Sequence, residues 1–145
     1  MYVAIVGSRR GVPAGVVGEF VKLLAQEEPD AIVVSGGAMG VDTCAEQTFL
    51  NLGREVISYR AARKPGKGEE SWLAEEWKLG TASPLITPLE PTFADRTSAL
   101  FYRNMLIVDL ADKVVSFHAA GSPGTAFTKG YAKDRGKLVY EMLGR

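Results

Sequence analysis

Short apolar runs separated by amphipathic stretches recur along the whole chain. Five of these runs are rich in β-branched or apolar residues and lack a regular alternation of apolar and polar positions, which is typical of strands covered on both faces. The five runs are Tyr2 to Val6, Ala31 to Val34, Glu55 to Tyr59, Lys113 to Phe117 and Lys137 to Glu141. They predict five buried strands.

Apolar residues with helical spacing lie between these runs. A first helix is predicted to begin near Pro13, a second to end at Gly53, a third to follow Asp95 and a last to end near Gly136. Strands that alternate with helices form right-handed βαβ units. The pattern therefore predicts an α/β fold built on a parallel sheet.

Residues 60–94 interrupt this pattern. Connections in compact α/β domains usually have about 2–6 residues, so we interpret this segment as a long insertion that serves as a lid, an oligomer contact or a mobile loop. Trp72, Leu73 and Trp77, among several glutamates, predict a short helix within it. At 145 residues the chain is predicted to be one domain, residues 1–145, with that insertion.

Charge and composition narrow the class of protein. The 17 basic and 17 acidic residues cancel, which argues against a protein that coats nucleic acid by charge alone. Cys44 is the single cysteine, so no internal disulfide or cysteine zinc site is expected, and we predict neither a metal nor a cofactor. No apolar stretch approaches the roughly 18 residues of a membrane helix. We expect a cytoplasmic protein without a membrane partner.

Glycine-rich loops follow three of the predicted strands. They span Gly7 to Gly11, Ser35 to Gly40 and His118 to Ala126. The carboxyl ends of parallel strands meet at one edge of a sheet, where ligands of α/β proteins bind. Gly124 and Thr125 would open the last helix, whose positive end favours an anion. The loops therefore predict a binding crevice, although close packing of helix against strand would also explain their glycines.

Two common nucleotide motifs are absent. The first strand is not followed by G-x-G-x-x-G, and no G-x-x-x-x-G-K-[ST] occurs, which argues against classical NAD binding and ATP hydrolysis. The candidate ligand- or phosphate-binding residues are Gly7, Ser8, Arg9, Ser35, Gly36, Gly37, Gly40, Asn104, Gly121, Gly124 and Thr125.

Three motifs, "VAIVGSR", "VSGGAMGVDTCAE" and "YRNMLIVDLADKVVSFHAAGSPGTAFTKGYAKDRGKLV", together resemble the SLOG superfamily. This group includes the DprA/Smf DNA-processing proteins and the LOG phosphoribohydrolases, and the match covers nearly the whole chain outside residues 60–94. The resemblance implies a Rossmann-like, doubly wound, five-stranded parallel sheet of order 3-2-1-4-5, with helices on both faces. It also implies a nucleotide or nucleotide-derived ligand.

The LOG branch cleaves the N-glycosidic bond of nucleoside 5′-monophosphates with an arginine and a glutamate in a "PGGxGTxxE" loop. Arg103 matches that arginine, whereas Thr128 stands where the glutamate would be. If the chain is an enzyme, the resemblance implies an N-glycosidic hydrolase in which Asp42 or Glu46 replaces the missing acid. Asp42 could instead cap the second helix, and Arg103 could pair with Asp42 or Asp109 to hold the fold.

The DprA-like branch binds single-stranded DNA, and its "RN" pair corresponds to Arg103 and Asn104. Three functions therefore stay open: a sensor or binding module for a nucleotide, a nucleotide hydrolase, and a DNA-binding protein that uses Arg9, Arg10 and the segment 60–67. In the nucleotide hypothesis the amides of the glycine loops hold phosphate, Arg103 pairs with phosphate or ribose, and Asp42 contacts a ribose hydroxyl. A homodimer is expected, because resembling proteins commonly pair.

Overall fold

A computed structural model describes residues 1–64, 71–119 and 123–144. Within these ranges the chain forms seven strands and four helices. In chain order they are β1 (Tyr2–Gly7), α1 (Ala14–Glu27), β2 (Ile32–Ser35), α2 (Val41–Asn51), β3 (Val56–Lys64), β4 (Ser71–Leu79), β5 (Leu85–Phe93), α3 (Arg96–Leu110), β6 (Lys113–Ala119), α4 (Pro123–Asp134) and β7 (Leu138–Gly144).

The strands form one sheet of order β5-β4-β3-β2-β1-β6-β7. Strands β3, β2, β1, β6 and β7 pair in parallel, and they follow one another as the predicted strands 3-2-1-4-5. However, β4 and β5 extend the sheet with antiparallel pairing. The prediction of a five-stranded, wholly parallel sheet is therefore wrong, since the sheet is mixed and has seven strands in a longer order.

The two additional strands come from the predicted insertion. Here β3 continues to Lys64, and β4 pairs with it from Val56 opposite Leu79 to Lys64 opposite Ser71. The predicted helix around Trp72 and Trp77 is wrong, because these residues lie in a strand that completes backbone hydrogen bonds with β3. The chain between Leu79 and Arg96 forms β5, the edge strand of the sheet.

Two apolar layers cover the sheet, one on each face. On the first face, Val17 and Val21 of α1 and Phe49 of α2 are buried against β1, β2 and β6. On the second face, Ile107 and Val108 of α3 pack with residues of α4 and of the same strands. The predicted placement of helices on both faces is confirmed. The order of the central strands reverses at β1, which lies between β2 and β6 and directs their carboxyl ends toward one edge.

No helix in the described ranges has the length and apolar character that a membrane crossing requires.

Candidate functional site

A cleft of about 580 Å³ opens beyond the carboxyl ends of β1 and β6, next to the point where the strand order reverses. Its walls come from the end of β1 and the loop after it, from one face of α3 and from the first turns of α2 and α4. The residues that line it include Gly7, Ser8, Arg9, Arg10, Asp42, Thr97, Leu100, Phe101, Arg103, Asn104, Gly124, Thr125 and Thr128. We refer to this space as the cleft.

The loop after β1 is held in place by backbone and hydroxyl contacts. The amide of Ser8 donates to the carbonyl of Phe117 at 3.0 Å. The hydroxyl oxygen of Ser8 accepts a 2.8 Å hydrogen bond from the amide of Ala119. These bonds join the ends of β1 and β6 at the base of the cleft. Arg9 and Arg10 follow directly and are both exposed, so their charges face solvent at the cleft wall.

Arg103 reaches from α3 across the carboxyl edge of the sheet. Its Nη1 donates to the carbonyl oxygens of Gly36 at 2.6 Å and of Tyr59 at 3.3 Å. Only 8% of the residue is exposed. Burial lowers the pKa of the Arg103 guanidinium, the carboxylate of Asp42 raises it, and the nearby Arg9 lowers it further. Arg103 therefore both lines the cleft and ties the loop after β2 to the middle of β3.

Asp42 lies in the first turn of α2, beside Arg103. Its Oδ2 accepts from the amide of Ala38 at 3.3 Å, whereas its Oδ1 is buried without a hydrogen-bond partner. Burial raises the pKa of Asp42 to about 7, although Arg103 and the Ala38 amide act in the opposite direction. At neutral pH this carboxyl group thus exists as a mixture of charged and neutral forms.

Two earlier alternatives concern these residues: whether Asp42 caps α2, and whether Arg103 pairs with Asp42 or with Asp109. Gly40 is the N-cap of α2, so Asp42 occupies the first helical turn instead of the cap position itself. Arg103 interacts with Asp42. Asp109, the other proposed partner, accepts from the hydroxyl of Tyr131 and lies 3.4 Å from Nε of Arg135.

The glycines after β2 are required by close contacts within the protein. A β-carbon at Gly36 would lie 2.6 Å from Nη1 of Arg103, and one at Gly37 would overlap the side chain of Arg60. One at Gly40 would lie 2.5 Å from the carbonyl oxygen of Arg9. Gly37 and Gly40 also have positive φ angles, which glycine adopts without strain. Close packing within the protein, the alternative to a bound ligand, is therefore sufficient to explain the three glycines of this loop.

Glu46 is buried behind this loop and does not line the cleft. Its Oε2 accepts from the hydroxyls of Ser35 at 2.5 Å and Ser58 at 3.0 Å, and its Oε1 pairs with Arg60 at 2.7 Å. The Arg60 guanidinium in turn lies 4.2 Å from the centre of the Trp77 ring. Both oxygens of Glu46 are thus engaged in holding α2 against β2 and β3. Arg60, the first residue of the segment 60–67 that we predicted to bind DNA, is a member of the same network.

The cleft brings together most, but not all, of the predicted residues. It contains Gly7, Ser8, Arg9, Asn104, Gly124 and Thr125 of the ligand-binding set, together with Asp42 and Arg103. Ser35, Gly36, Gly37, Gly40 and Glu46 lie outside it, and the amide of Gly37 donates to Oγ of Ser35 at 3.2 Å. Gly121 and residues 65–67 of the predicted DNA-binding segment lie outside the described residues. The ligand contacts themselves stay predictions.

Thr97, Leu100 and Phe101 are residues of α3 that line the cleft and that were absent from the predicted set, as was Ile107 of the same helix. Thr97, Leu100 and Phe101 precede Asn104 by seven, four and three positions, which places all of them on the same face of a helix. Helical spacing counted back from Asn104 could therefore have predicted these residues as part of the cleft wall. Thr128, which stands at the position of the LOG glutamate, also lines the cleft and donates its hydroxyl to the carbonyl of Gly124 at 3.0 Å.

Among the described residues, no three histidine, cysteine, aspartate or glutamate side chains gather in a group that could hold a metal ion.

A crevice beyond parallel strands, at the point where their order reverses, defines a Rossmann-like domain. The chain has this fold, with a basic cleft at the expected edge. A family model described as DNA recombination-mediator protein A matches residues 1–145. The chain therefore belongs to the DNA recombination-mediator protein A (DprA) family, which confirms the resemblance to the SLOG superfamily.

Solved structures support the same fold. DNA processing protein A from Helicobacter pylori, reported for its single-stranded DNA binding mode, is 22% identical with a TM-score of 0.68 over 97% of this chain and 64% of that one. DprA from Streptococcus pneumoniae is 22% identical with a TM-score of 0.70, over 96% of this chain and 49% of that one. The chain thus spans 64% and 49% of the length of these two proteins. No curated protein sequence matches it.

Proposed function

We propose that this chain binds single-stranded DNA in the cleft, as a DNA-processing protein of the DprA family. The observation that carries the proposal is a locally basic cleft with an exposed aromatic ring in a protein whose net charge is zero. The family assignment supports the same ligand, as does the likeness to the Helicobacter pylori protein, which was reported for its single-stranded DNA binding mode.

The charge of the cleft suits a phosphate backbone. Arg9, Arg10 and Arg103 line it, and Arg96 lies close enough to lower the pKa of Arg103. Asp42 is the one carboxylate among the described residues that line the cleft, and burial keeps it partly neutral at pH 7. A positive groove that follows the backbone is the usual basis of single-strand binding. The cationic residues therefore outweigh the acidic one where the strand would lie.

The aromatic ring of Phe101 supplies a stacking surface. It lines the cleft and is 37% exposed, so that part of the ring is open to solvent. A base stacked on an aromatic side chain contributes about 1–3 kcal/mol to binding, largely independent of sequence. Phosphate contacts by the arginines and stacking on Phe101 together favour a single strand over a duplex, whose bases are already stacked.

A nucleoside monophosphate is the second candidate ligand. The cleft volume of about 580 Å³ lies within the range of small-molecule sites, and the first turn of α4, with Gly124 and Thr125, offers amide groups to a phosphate. For hydrolysis of such a nucleotide, Asp42 is the candidate acid at the cleft, because Thr128 carries no carboxylate. Because Thr128 stands where the LOG enzymes have a glutamate, the residues that line the cleft favour a sensor that holds the nucleotide over a hydrolase that cleaves it.

Thermal unfolding with a panel of ligands separates these candidates. The panel contains nucleoside monophosphates, a short single-stranded oligonucleotide and the matching duplex, each at low and moderate salt. A ligand at a hundred times its dissociation constant adds about 2.7 kcal/mol to stability, which raises the Tm of a domain of this size by about 5–10 °C. We expect that shift with the single strand, decreasing with salt. A shift with monophosphates alone would contradict the proposal and favour the second candidate.

Three further predictions belong to this proposal. The chain is expected to act as one domain, in the cytoplasm and as a homodimer. Segment 60–94 was interpreted as a lid, an oligomer contact or a mobile loop; within it Leu73 is buried and Trp77 lies against Arg60, so these two residues do not support a dimer contact.

A further inference from the structure

Three aromatic rings form a row on the outer surface where α3 meets α4. The ring centres of Phe101 and Phe127 are 4.7 Å apart in an edge-to-face arrangement, and those of Phe127 and Tyr131 are 6.2 Å apart with nearly parallel planes. We call these three residues the aromatic row. It leads from the cleft, which Phe101 lines, along α4 to Tyr131, outside the cleft.

The first two rings of the row are open to solvent. Phe101 and Phe127 are each 37% exposed, whereas Phe49 and Phe117, on the opposite face of the sheet, are almost completely buried. Beside the row, a β-carbon added at Gly130 would meet nothing within 4 Å, so that no side chain covers this part of α4. Rings that served only to join the two helices would gain more by burial than by remaining at the surface.

The far end of the row is fixed by an arginine that lies on one face of the Tyr131 ring. The guanidinium carbon of Arg135 lies 3.3 Å from the centre of the Tyr131 ring, and the hydroxyl of Tyr131 donates to Asp109 at 2.9 Å. Arg135 also pairs with Asp109, which holds both side chains in place. A cation beside aligned aromatic rings matches the chemistry of a nucleic-acid strand, which presents phosphates alternating with flat bases.

We propose that the aromatic row continues the DNA-binding surface beyond the cleft. A single strand whose first bases occupy the cleft against Phe101 lays its next base on Phe127, with its phosphate near Arg135. This inference rests on the proposed function, and it adds a second, length-dependent part to the site. Strands that extend past the cleft thus bind more tightly than strands that only fill it.

The test uses Phe127→Leu and two labelled oligothymidylates of about four and about twelve nucleotides, which bracket the usual site sizes of single-strand binding surfaces. Leucine keeps the apolar contact with Phe101 but has no ring on which a base can stack. Fluorescence anisotropy should show that affinity for the longer strand falls about fivefold or more, while affinity for the shorter strand stays within about twofold. Tyr140→Leu, at an exposed ring on β7 that packs on Phe20 of α1, should leave both affinities unchanged.

Three results would overturn the inference, and they can be told apart. Unchanged affinity of Phe127→Leu for the longer strand would show that the row makes no DNA contact. An equal loss for both lengths would show that Phe127 acts only by supporting Phe101 in the cleft. A change of oligomeric state in sedimentation velocity would show that the row contacts a second copy of the chain. If the native protein binds neither oligonucleotide, the proposed function itself fails.

Discussion

Nη1 of Arg103 donates a 2.6 Å hydrogen bond to the carbonyl oxygen of Gly36, which links α3 to the loop after β2 across the edge of the sheet. The absence of a side chain at Gly36 makes this approach feasible. Because Arg103 lines the cleft together with Phe101 and Asn104 of the same helix, the bond sets the position of the cleft wall. The glycine-rich loop therefore supports the cleft from behind, while the residues of α3 form its wall.

Replacement of Gly36 by alanine should disturb this contact. The added β-carbon would lie 2.6 Å from Nη1 of Arg103 and 2.9 Å from Oδ2 of Asp42, so the buried guanidinium must move. We expect the free energy of unfolding to fall by about 1–3 kcal/mol, as for other overpacked sites, and affinity for a single strand to fall with it. Urea unfolding and anisotropy titration measure the two effects.

Gly18→Ala is the matched control for that substitution. Gly18 lies within α1, and its β-carbon would meet its nearest atom at 3.9 Å, an ordinary contact. We expect a gain of about 0.5–1 kcal/mol, because alanine favours a helix more than glycine does. Equal stability of Gly36→Ala and the native protein would show that the Arg103 contact does not restrict the loop.

Asp42 should make stability depend on pH. Its pKa is about 7 in the folded protein and 3.8 in the unfolded chain, so the folded state holds more protons between these values. The contribution of Asp42 to the free energy of unfolding is therefore largest below pH 3.8 and decreases as pH rises toward about 7, by at most about 1.4 kcal/mol per pH unit. Asp42→Asn removes this contribution.

The measurement is urea unfolding of both proteins between about pH 4 and pH 8, chosen to span the titration. The difference between native and Asp42→Asn isolates this carboxyl group from Asp95 and Glu141, whose pKa values are lowered by Ser98 and Lys129 and whose effects appear at lower pH. Parallel pH profiles for the two proteins would show that Asp42 titrates normally and would contradict the raised pKa.

Loss of the Glu46 carboxylate should destabilise the fold more than it affects ligand binding. Glu46→Ala leaves Arg60 without its ion-pair partner and removes the acceptor of the Ser35 and Ser58 hydroxyls. A broken buried ion pair typically costs about 3 kcal/mol, or a Tm decrease of about 10 °C at this size. Glu19→Ala, at an exposed carboxylate on α1, should change Tm little. A small effect at Glu46 would mean that water replaces these contacts.

Arg10 should contribute to binding mainly through charge. Each phosphate contact of a single strand adds about 0.7 to the slope of log affinity against log salt, so Arg10→Gln should reduce that slope by this amount. Lys22→Gln removes one positive charge from α1 instead, at a site away from the cleft, and should leave the slope unchanged. An identical decrease in both variants would indicate a nonspecific effect of net charge.

The sequence pattern was sufficient for the central part of the fold. Strands such as β1 and β6 are short, apolar and flanked by helical periodicity, so their type follows from local sequence. The region around Trp72 and Trp77 was misjudged because its conformation depends on pairing with β3, which is not a local property. Pro88 and Pro91 were a usable signal, since prolines are tolerated in an edge strand such as β5 and oppose a helix.

The site was predictable where it follows strand ends and less so where it depends on side-chain contacts. Arg9, Arg103 and Gly124 meet in the cleft because β1, α3 and α4 converge at the carboxyl edge. The sequence could not show that Gly36 and Gly37 make room for two arginines, or that Glu46 bonds two serines. Those relationships join residues far apart in the chain and depend on the packing of α2 against β2 and β3.

The most direct test of the central claim is anisotropy titration of a labelled single strand with native protein, Gly124→Val and Gly15→Val. Both glycines are the second residue of a helix, and a β-carbon at either meets nothing within 4 Å, so both variants should fold. Gly124 lines the cleft. We predict tight binding by native protein and Gly15→Val and none by Gly124→Val, with similar Tm values. Equal binding by all three would contradict the cleft as the DNA site.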